Sequence, residues 1–430
     1  MKKNTVSLML IGAMIVSMCA ATNVMAEDGN EVEISFYTTE TGKDQMFQDL
    51  IADFEEKNSG IKVEYIAAGD DQLQGWMALY SSNEGPTVSL MDPINIFENQ
   101  ERMMDLTEQP LIDNVEETAL STYTFDGKVY GAPMTAAGIG LLYNKGVCDE
   151  AVGEILIRLP SRHVPIWKDL FDKIEATGKS ASCLTGVNWS LGAHYICEIY
   201  GAARGEVADR VAFVDSLKEG EATLGDDEIF NGYMDTFDML ADYNYNKADP
   251  LVGDVNLDAM ALAMGDCGTW FMGDWAWTYL APLVEEGQEF GLLPIPYSDN
   301  EEDTLNQCIP TSYAKGYCVD VSQNTEEQQA AGVKFIEYMT SDENAEQVLA
   351  DVCGQALPYK NADVTIESPL GQSTAAYISS GKTYDFYGTA DLCPSDYWYD
   401  NGAYMCEYLA DAVDRATLAK NLEAYWTAKN

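Results

Sequence analysis

Residues 32–65 switch between two periodicities, and that switch narrows the fold more than any other feature of the chain. Val32-Glu33-Ile34-Ser35-Phe36 carries apolar side chains at every second position, the period of a half-buried strand. Met46, Phe47, Leu50, Ile51 and Phe54 then recur at helical spacing, and Gly60 after Asn58-Ser59 stops the helix. Ile61, Val63 and Tyr65 return to period two. Strand, helix and strand in that order predict a parallel pair with its crossover helix packed on one face, so the fold class is α/β.

Later segments extend the pattern. Gly127-Lys128-Val129-Tyr130-Gly131-Ala132-Pro133 reads as a turn and short strand, and the apolar, glycine-containing run Ala136 to Tyr143 suits a strand passing between two lobes. A helical region opens near Trp167, with Leu170, Phe171 and Ile174 on one face. Another helix runs from about Glu326 to Met339, where Thr325 and Gln328 form a capping box and Phe335, Ile336 and Met339 line the inner face. There is no long Pro- or Ser-rich linker, internal repeat or low-complexity tract. The lobes are therefore expected to be continuous with each other.

The first residues have the form of a secretory leader. Lys2 and Lys3 precede the almost wholly apolar stretch Val6 to Ala20, and Val24-Met25-Ala26 offers a cleavage site just before Glu27-Asp28. The apolar stretch falls short of the roughly 20 residues of a membrane helix. Val16-Ser17-Met18-Cys19 is a second candidate, a lipoprotein site that would anchor Cys19, but Met18 stands where that site calls for Gly, Ala or Ser. Export to the periplasm or the outer face of the cytoplasmic membrane is the expectation. Removing residues 1–26 from the 430 leaves 404, more than one hydrophobic core normally organises, so two lobes are expected.

Charge and cysteine usage exclude several functions. The chain has 24 basic and 71 acidic residues, a net −47, which becomes −49 once Lys2 and Lys3 leave with the leader. Such a field repels nucleic acid and anionic membrane. Nine of the ten cysteines remain after Cys19 is lost, with no CxxC pair, and His163 and His194 are the only histidines. No metal and no cofactor are expected. Cys308 with Cys318 and Cys393 with Cys406 are spaced to permit local bridges, with free thiols as the competing reading. Gly138-Ile139-Gly140 lacks the third glycine of a dinucleotide fingerprint, and no GxxxxGK[ST], GxSxG or HExxH occurs. Core or rim positions account for His163 and His194 better than a catalytic triad does. Paired carboxylates could stand anywhere among 71 acids, so no particular pair carries meaning.

The aromatic clusters say more. Trp270-Phe271-Met272-Gly273-Asp274-Trp275-Ala276-Trp277 places three indoles in eight residues, and Leu392 to Tyr408 adds Tyr397, Trp398, Tyr399, Tyr404 and Tyr408. Rings interleaved with Gly, Asp and Asn in turn-prone stretches suit a pocket wall better than a core. Sugars present apolar C–H faces to such rings and hydroxyl edges to carboxylates and amides.

Six fragments occur in a recognisable order. They are Ile34-Ser35-Phe36-Tyr37 with the helix Met46 to Lys57, and Glu84-Gly85-Pro86-Thr87-Val88 leading to Asp92. Next come Asp126-Gly127-Lys128-Val129-Tyr130-Gly131-Ala132-Pro133 and Leu142-Tyr143-Asn144-Lys145. Ala263-Met264-Gly265 leading to Met272-Gly273-Asp274-Trp275, and Phe335-Ile336-Glu337-Tyr338-Met339-Thr340, complete the set. In this order the chain resembles the family 1 extracellular solute-binding proteins, the maltose-binding-protein-like sugar receptors of ABC importers. The resemblance implies a two-lobed periplasmic-binding-protein-like fold with the ligand cleft between lobes joined by hinge segments. Lobe 1 would comprise 27–135 and 302–352, and lobe 2 would comprise 136–301 and 353–430. It further implies a monomer that captures a carbohydrate, an oligosaccharide given the number of rings, and delivers it to membrane permease subunits, with no catalysis.

Position by position, the resemblance places Thr39 and Glu40 at the cleft after the first strand, and Asp92 as a partner for ligand hydroxyls. Trp189 supplies an aromatic on the second lobe, Trp275 the stacking ring, and Trp398 a late aromatic that closes the cleft. Trp270 and Trp277 fall back to packing. The basic segment Arg158 to Lys168 departs from the family's expected helix. Two other readings remain open. The same fold could take a polyamine or other cationic solute, which the negative charge invites, or the chain could be an extracellular glycoside hydrolase.

Overall fold

The computed structural model describes residues 31–429, apart from 41, 70–71, 154–163, 297, 301, 387–392 and 395. The leader with Cys19, His163 and most of the Arg158–Lys168 segment lie outside the described residues. In chain order the strands are β1 (Val32–Thr38), β2 (Ile61–Ala67), β3 (Val88–Met91), β4 (Thr124–Phe125), β5 (Lys128–Val129), β6 (Ala132–Pro133) and β7 (Ala137–Asn144). They continue as β8 (Ser180–Leu184), β9 (Cys267–Gly273), β10 (Phe290–Leu293), β11 (Ile309–Ser312), β12 (Gly316–Val319) and β13 (Thr383–Asp385).

The predicted βαβ unit is present: β1 and β2 pair in parallel from Val32 opposite Ile61 to Thr38 opposite Ala67, with the helix Asp44–Lys57 between them. They belong to a five-stranded sheet of order β2-β1-β3-β12-β6. β3 is parallel to β1, whereas β12 runs antiparallel to both β3 and β6. The sheet is thus mixed rather than wholly parallel, because β12 arrives from the other lobe and enters from the opposite end. Phe36 lies at the centre of this lobe's core, its ring 5.3 Å from Phe47 and 5.2 Å from Phe335. Phe335 comes from the helix Glu326–Ser341, and the expected capping box between Thr325 and Gln328 starts that helix.

The second sheet has the order β13-β11-β7-β9-β8, with β10 also paired to β7. Its core gathers Trp167, Phe171 and Ile174 from the helix Val164–Ala176, together with Tyr195, Phe237, Phe271 and Trp426. The stretch with Tyr397 to Tyr408, expected as pocket wall, is a helix instead (Tyr397–Leu409). Tyr397, Asn401, Met405 and Leu409 recur every four residues on its buried side, so most of that aromatic cluster packs the core.

The chain crosses between the sheets three times. The first crossing is Met134–Ala136, between β6 and β7. The second is Tyr313–Lys315, between β11 and β12. The third follows the helix Glu343–Cys353, where Ala136 N donates to Ala356 O (2.8 Å) and sews the first crossing to the third. Two expected lobe boundaries are corrected. β11 pairs with Ala137 and Gly138 of β7, so residues 309–312 belong with the second sheet although the first lobe was expected to resume at 302. Residues past 353 also stay with the first lobe for a time, since Glu116 N bonds Pro358 O and Tyr359 bridges Val115. Both shifts arise because strand pairing, not local composition, decides which side a crossing segment joins.

Candidate functional site

β1 and β3 are adjacent and parallel, so their carboxyl ends open on the same edge, and β2 lies on the other side of β1. Crevices outside the strand ends at such a reversal of order are the usual ligand sites of open α/β sheets. Thr39, Glu40 and Asp92 follow directly from these ends, as expected. Both the backbone N and Oγ1 of Thr39 donate to Leu90 O at 3.1 Å, which holds the loop against β3.

Neither carboxylate is alone. Lys315 Nζ lies 3.0 Å from Asp92 Oδ1 and donates to Thr39 Oγ1 at 2.8 Å. Lys43 Nζ lies 2.6 Å from Glu40 Oε1. Burial by itself would lower the Lys43 ammonium, but Glu40 beside it, with Cys353 and Tyr279 further off, raises it above the usual lysine value. Tyr279 belongs to a helix that begins at Trp277 in the second lobe. Sequence reasoning missed both lysines. Scarcity was the one signal available, since a lysine at a crossing stands out among 24 basic residues.

The facing wall comes from the second sheet. β8 and β9 are parallel, Leu184 at the end of β8 standing opposite Phe271, and β9 runs on to Gly273. After β8 the chain reaches Trp189 and a wide π turn, Ser190–Tyr195, a helical bulge that recurs at functional sites. The turn packs tightly on the helix Tyr397–Leu409, where a Cβ on Gly192 would collide with the backbone of Trp398 and Gly402. His194 projects from the turn into a ring cluster: its centroid is 5.4 Å from Trp189, 4.8 Å from Trp275 and 6.2 Å from Phe386. Burial lowers its imidazole to about 3, so the ring is neutral at ordinary pH and acts as a third flat surface. Trp189 is exposed and Trp275 half-buried. The Trp275 indole lies over Gly273 so closely that a Cβ there would overlap it. Trp398 packs, half-buried, against the same core.

Trp270 and Trp277 do not join this wall. Trp270 is fully buried, its Nε1 donating to Thr185 Oγ1 (2.9 Å), and Trp277 packs 6.1 Å from Phe290. Asp274, between Gly273 and Trp275, is fully buried. Its Oδ2 accepts from Gly138 N (2.9 Å) and Thr374 Oγ1 (2.6 Å), and its Oδ1 accepts from Gln355 Nε2 (3.0 Å). Burial raises this carboxyl to about 6 despite those donors.

Other sequence expectations resolve as follows. Cys308 lies just before β11 and Cys318 in β12; the Cys308 thiol bonds Thr304 O and the buried Cys318 thiol bonds Ser89 O. Among the described residues, no group of three His, Cys, Asp or Glu side chains is arranged to hold a metal, and no helix is long and apolar enough to cross a membrane. The site can therefore do two things with its own groups. It offers flat rings on one side and, on the other, a lysine-neutralised row of oxygen and nitrogen atoms able to make hydrogen bonds.

Comparison with known proteins agrees with this architecture. The family model described as bacterial extracellular solute-binding protein matches residues 49–354. A family 1 extracellular solute-binding protein from Bifidobacterium longum subsp. infantis is similar in structure, at 20% identity and a TM-score of 0.70 over 93% of this chain and 100% of that one. The apo form of RafE from Streptococcus pneumoniae is 18% identical with a TM-score of 0.75, covering 93% of this chain and 98% of its own. A sugar transporter from Bacillus licheniformis, solved in complex with stachyose, is 14% identical with a TM-score of 0.68, over 93% and 100%. No curated protein sequence matches.

Proposed function

The chain belongs to the bacterial extracellular solute-binding proteins, and from that premise we propose that it captures a carbohydrate between its lobes and hands it to an ABC permease. The observation that carries the choice of ligand is charge balance at the cleft. Glu40 and Asp92 each already hold a lysine, at 2.6 and 3.0 Å. A polyamine would have to displace Lys43 and Lys315, whereas a neutral polyol can donate hydroxyls to the carboxylates and accept from the ammonium groups at once. On the opposite side Trp189, His194 and Trp275 offer adjoining flat faces suited to the C–H side of sugar rings. The stachyose complex of a structural relative favours an oligosaccharide.

Under this reading Thr39, Glu40 and Asp92 bind hydroxyls, Trp189 and Trp275 stack, and Trp398 borders the second-lobe wall. Closure about the three crossings is the functional event, and no bond is made or broken. The protein works as a monomer on the outer side of the cytoplasmic membrane.

A thermal-shift screen of the protein from residue 27 onward against raffinose, stachyose, maltotriose, xylotriose and spermidine tests the proposal. A true ligand at a hundred times its dissociation constant adds about 2.7 kcal/mol of apparent stability. Stabilisation by spermidine alone, suppressed by salt, would transfer the site to cations. Release of smaller sugars from a bound oligosaccharide would make the chain a hydrolase.

A further inference from the structure

The buried carboxylate beside the stacking indole does more than fill space. Its donors come from three separate segments, of which one, Gln355, lies in a crossing. Gly138 N–H lies just past the first crossing, Gln355 is in the third, and Thr374 is on the helix Pro369–Ser379 that follows it. Gln355 then passes the connection on: its Oε1 accepts from Thr135 Oγ1 at 2.8 Å, within the first crossing. Thr135, Gln355, Thr374 and Asp274 are all buried. Trp275 is the next residue along the chain, and its indole is seated on Gly273, so the three residues 273–275 move together.

We infer that Asp274 is the positioning residue through which a ring stacked on Trp275 sets the hinge, by anchoring Gln355 of the third crossing, which in turn holds Thr135 of the first. The inference rests on the ligand reading above. A carboxylate in this setting has one favoured condition. Fully bonded, it ties the crossings; with a donor withdrawn, an ionised oxygen is left buried and uncompensated, which is costly. Closure needs the crossings to swing as one unit, and the network of Thr135, Gln355, Asp274, Gly138 and Thr374 supplies that unit. Trp275 reports to it by covalent adjacency.

The test uses Asp274→Asn and Gln355→Met in the otherwise unaltered protein, with the tightest-binding sugar of the panel as probe. Asparagine keeps an acceptor for Gln355 but turns an N–H₂ toward Gly138 N–H; Gln355→Met removes both the donor to Asp274 Oδ1 and the acceptor for Thr135, and leaves the Gly138 and Thr374 bonds to Asp274 in place. Stopped-flow tryptophan fluorescence should show dissociation at least about tenfold faster in both variants, with association changed less than about twofold. That split separates loss of closure from a damaged pocket, which would slow association as well. Hydrogen exchange without ligand supplies a second reading: the amides of residues 136–138 should exchange about tenfold faster in Gln355→Met while those of 180–184 stay as in the parent. Unchanged dissociation and unchanged exchange in both variants would overturn the inference. If the parent protein binds no sugar, the ligand reading falls, and the exchange experiment still decides whether the network ties the crossings.

Discussion

The imidazole of His194 lies 4.8 Å from the indole of Trp275, tilted by 54°, and 5.4 Å from that of Trp189, edge to face, so it links the two tryptophans into one ring cluster. The three rings come from a π turn and from the end of a strand about eighty residues further along the chain. Burial keeps the imidazole neutral, so the ring cluster carries no charge.

Trp275→Ala should weaken sugar binding by about 1–3 kcal/mol through lost stacking and buried area. Isothermal titration calorimetry reads this directly, and an unaltered dissociation constant would remove Trp275 from the site.

Gly273→Ala should mimic that loss while keeping the indole. The added methyl would overlap the Trp275 ring, so the ring must tilt away from its seat. A loss of affinity close to that of Trp275→Ala is expected, along with a shifted fluorescence maximum. Parent-like affinity would mean that the orientation of the indole does not matter.

Lys315→Met exposes the logic of charge balance. Without its partner, Asp92 becomes an uncompensated carboxylate at the cleft edge and Thr39 loses a donor. Sugar affinity should fall about tenfold, and weak binding of spermidine, abolished by 0.5 M salt, should appear at roughly the Debye-screened range. No gain of cation binding would show that Lys315 does not set the ligand's charge.

Glu198 predicts the pH dependence of stability. Its carboxyl is buried without a cation; Tyr233 and Tyr384 hydroxyls donate to Oε2 at 2.8 and 2.7 Å, while Oε1 has no partner. Burial raises it to about 7 against those two donors. Because the folded value lies above the unfolded one, the folded state holds this proton more tightly. Stability from that source is fully present below about pH 4 and is lost as pH rises toward 7. Asp258 and Asp274, each raised to about 6 by burial, act in the same direction. Glu198→Gln should match the parent at pH 4 and exceed it by on the order of 2–3 kcal/mol at pH 8. Denaturant titrations at the two pH values provide the comparison; a variant less stable than the parent at pH 8 would show that the ionised carboxylate is the native form.

Local pattern carried much of the fold. Period two at Val32–Phe36, the helical stripe through Phe47 and Phe54, the stop at Gly60 and the Thr325–Gln328 cap all stand where periodicity and capping chemistry put them. Local pattern misled at Tyr397–Tyr408, where glycine and asparagine among the rings suggested a turn but a four-residue spacing made a buried helix face.

By itself the sequence determined the α/β class, the two-lobed size and the order of fragments that marks the family, and it singled out the Gly-Asp-Trp segment as a candidate site. Tertiary structure alone decided which lysine neutralises which carboxylate, that a histidine lies between two indoles, and that Asp274 bonds Gly138, Gln355 and Thr374. The reason is separation along the chain. Lys315 reaches Thr39 across 276 residues, and Thr135 reaches Gln355 across 220. Periodicity is read over a few turns, whereas contacts of that range exist only once the chain has folded back through its crossings.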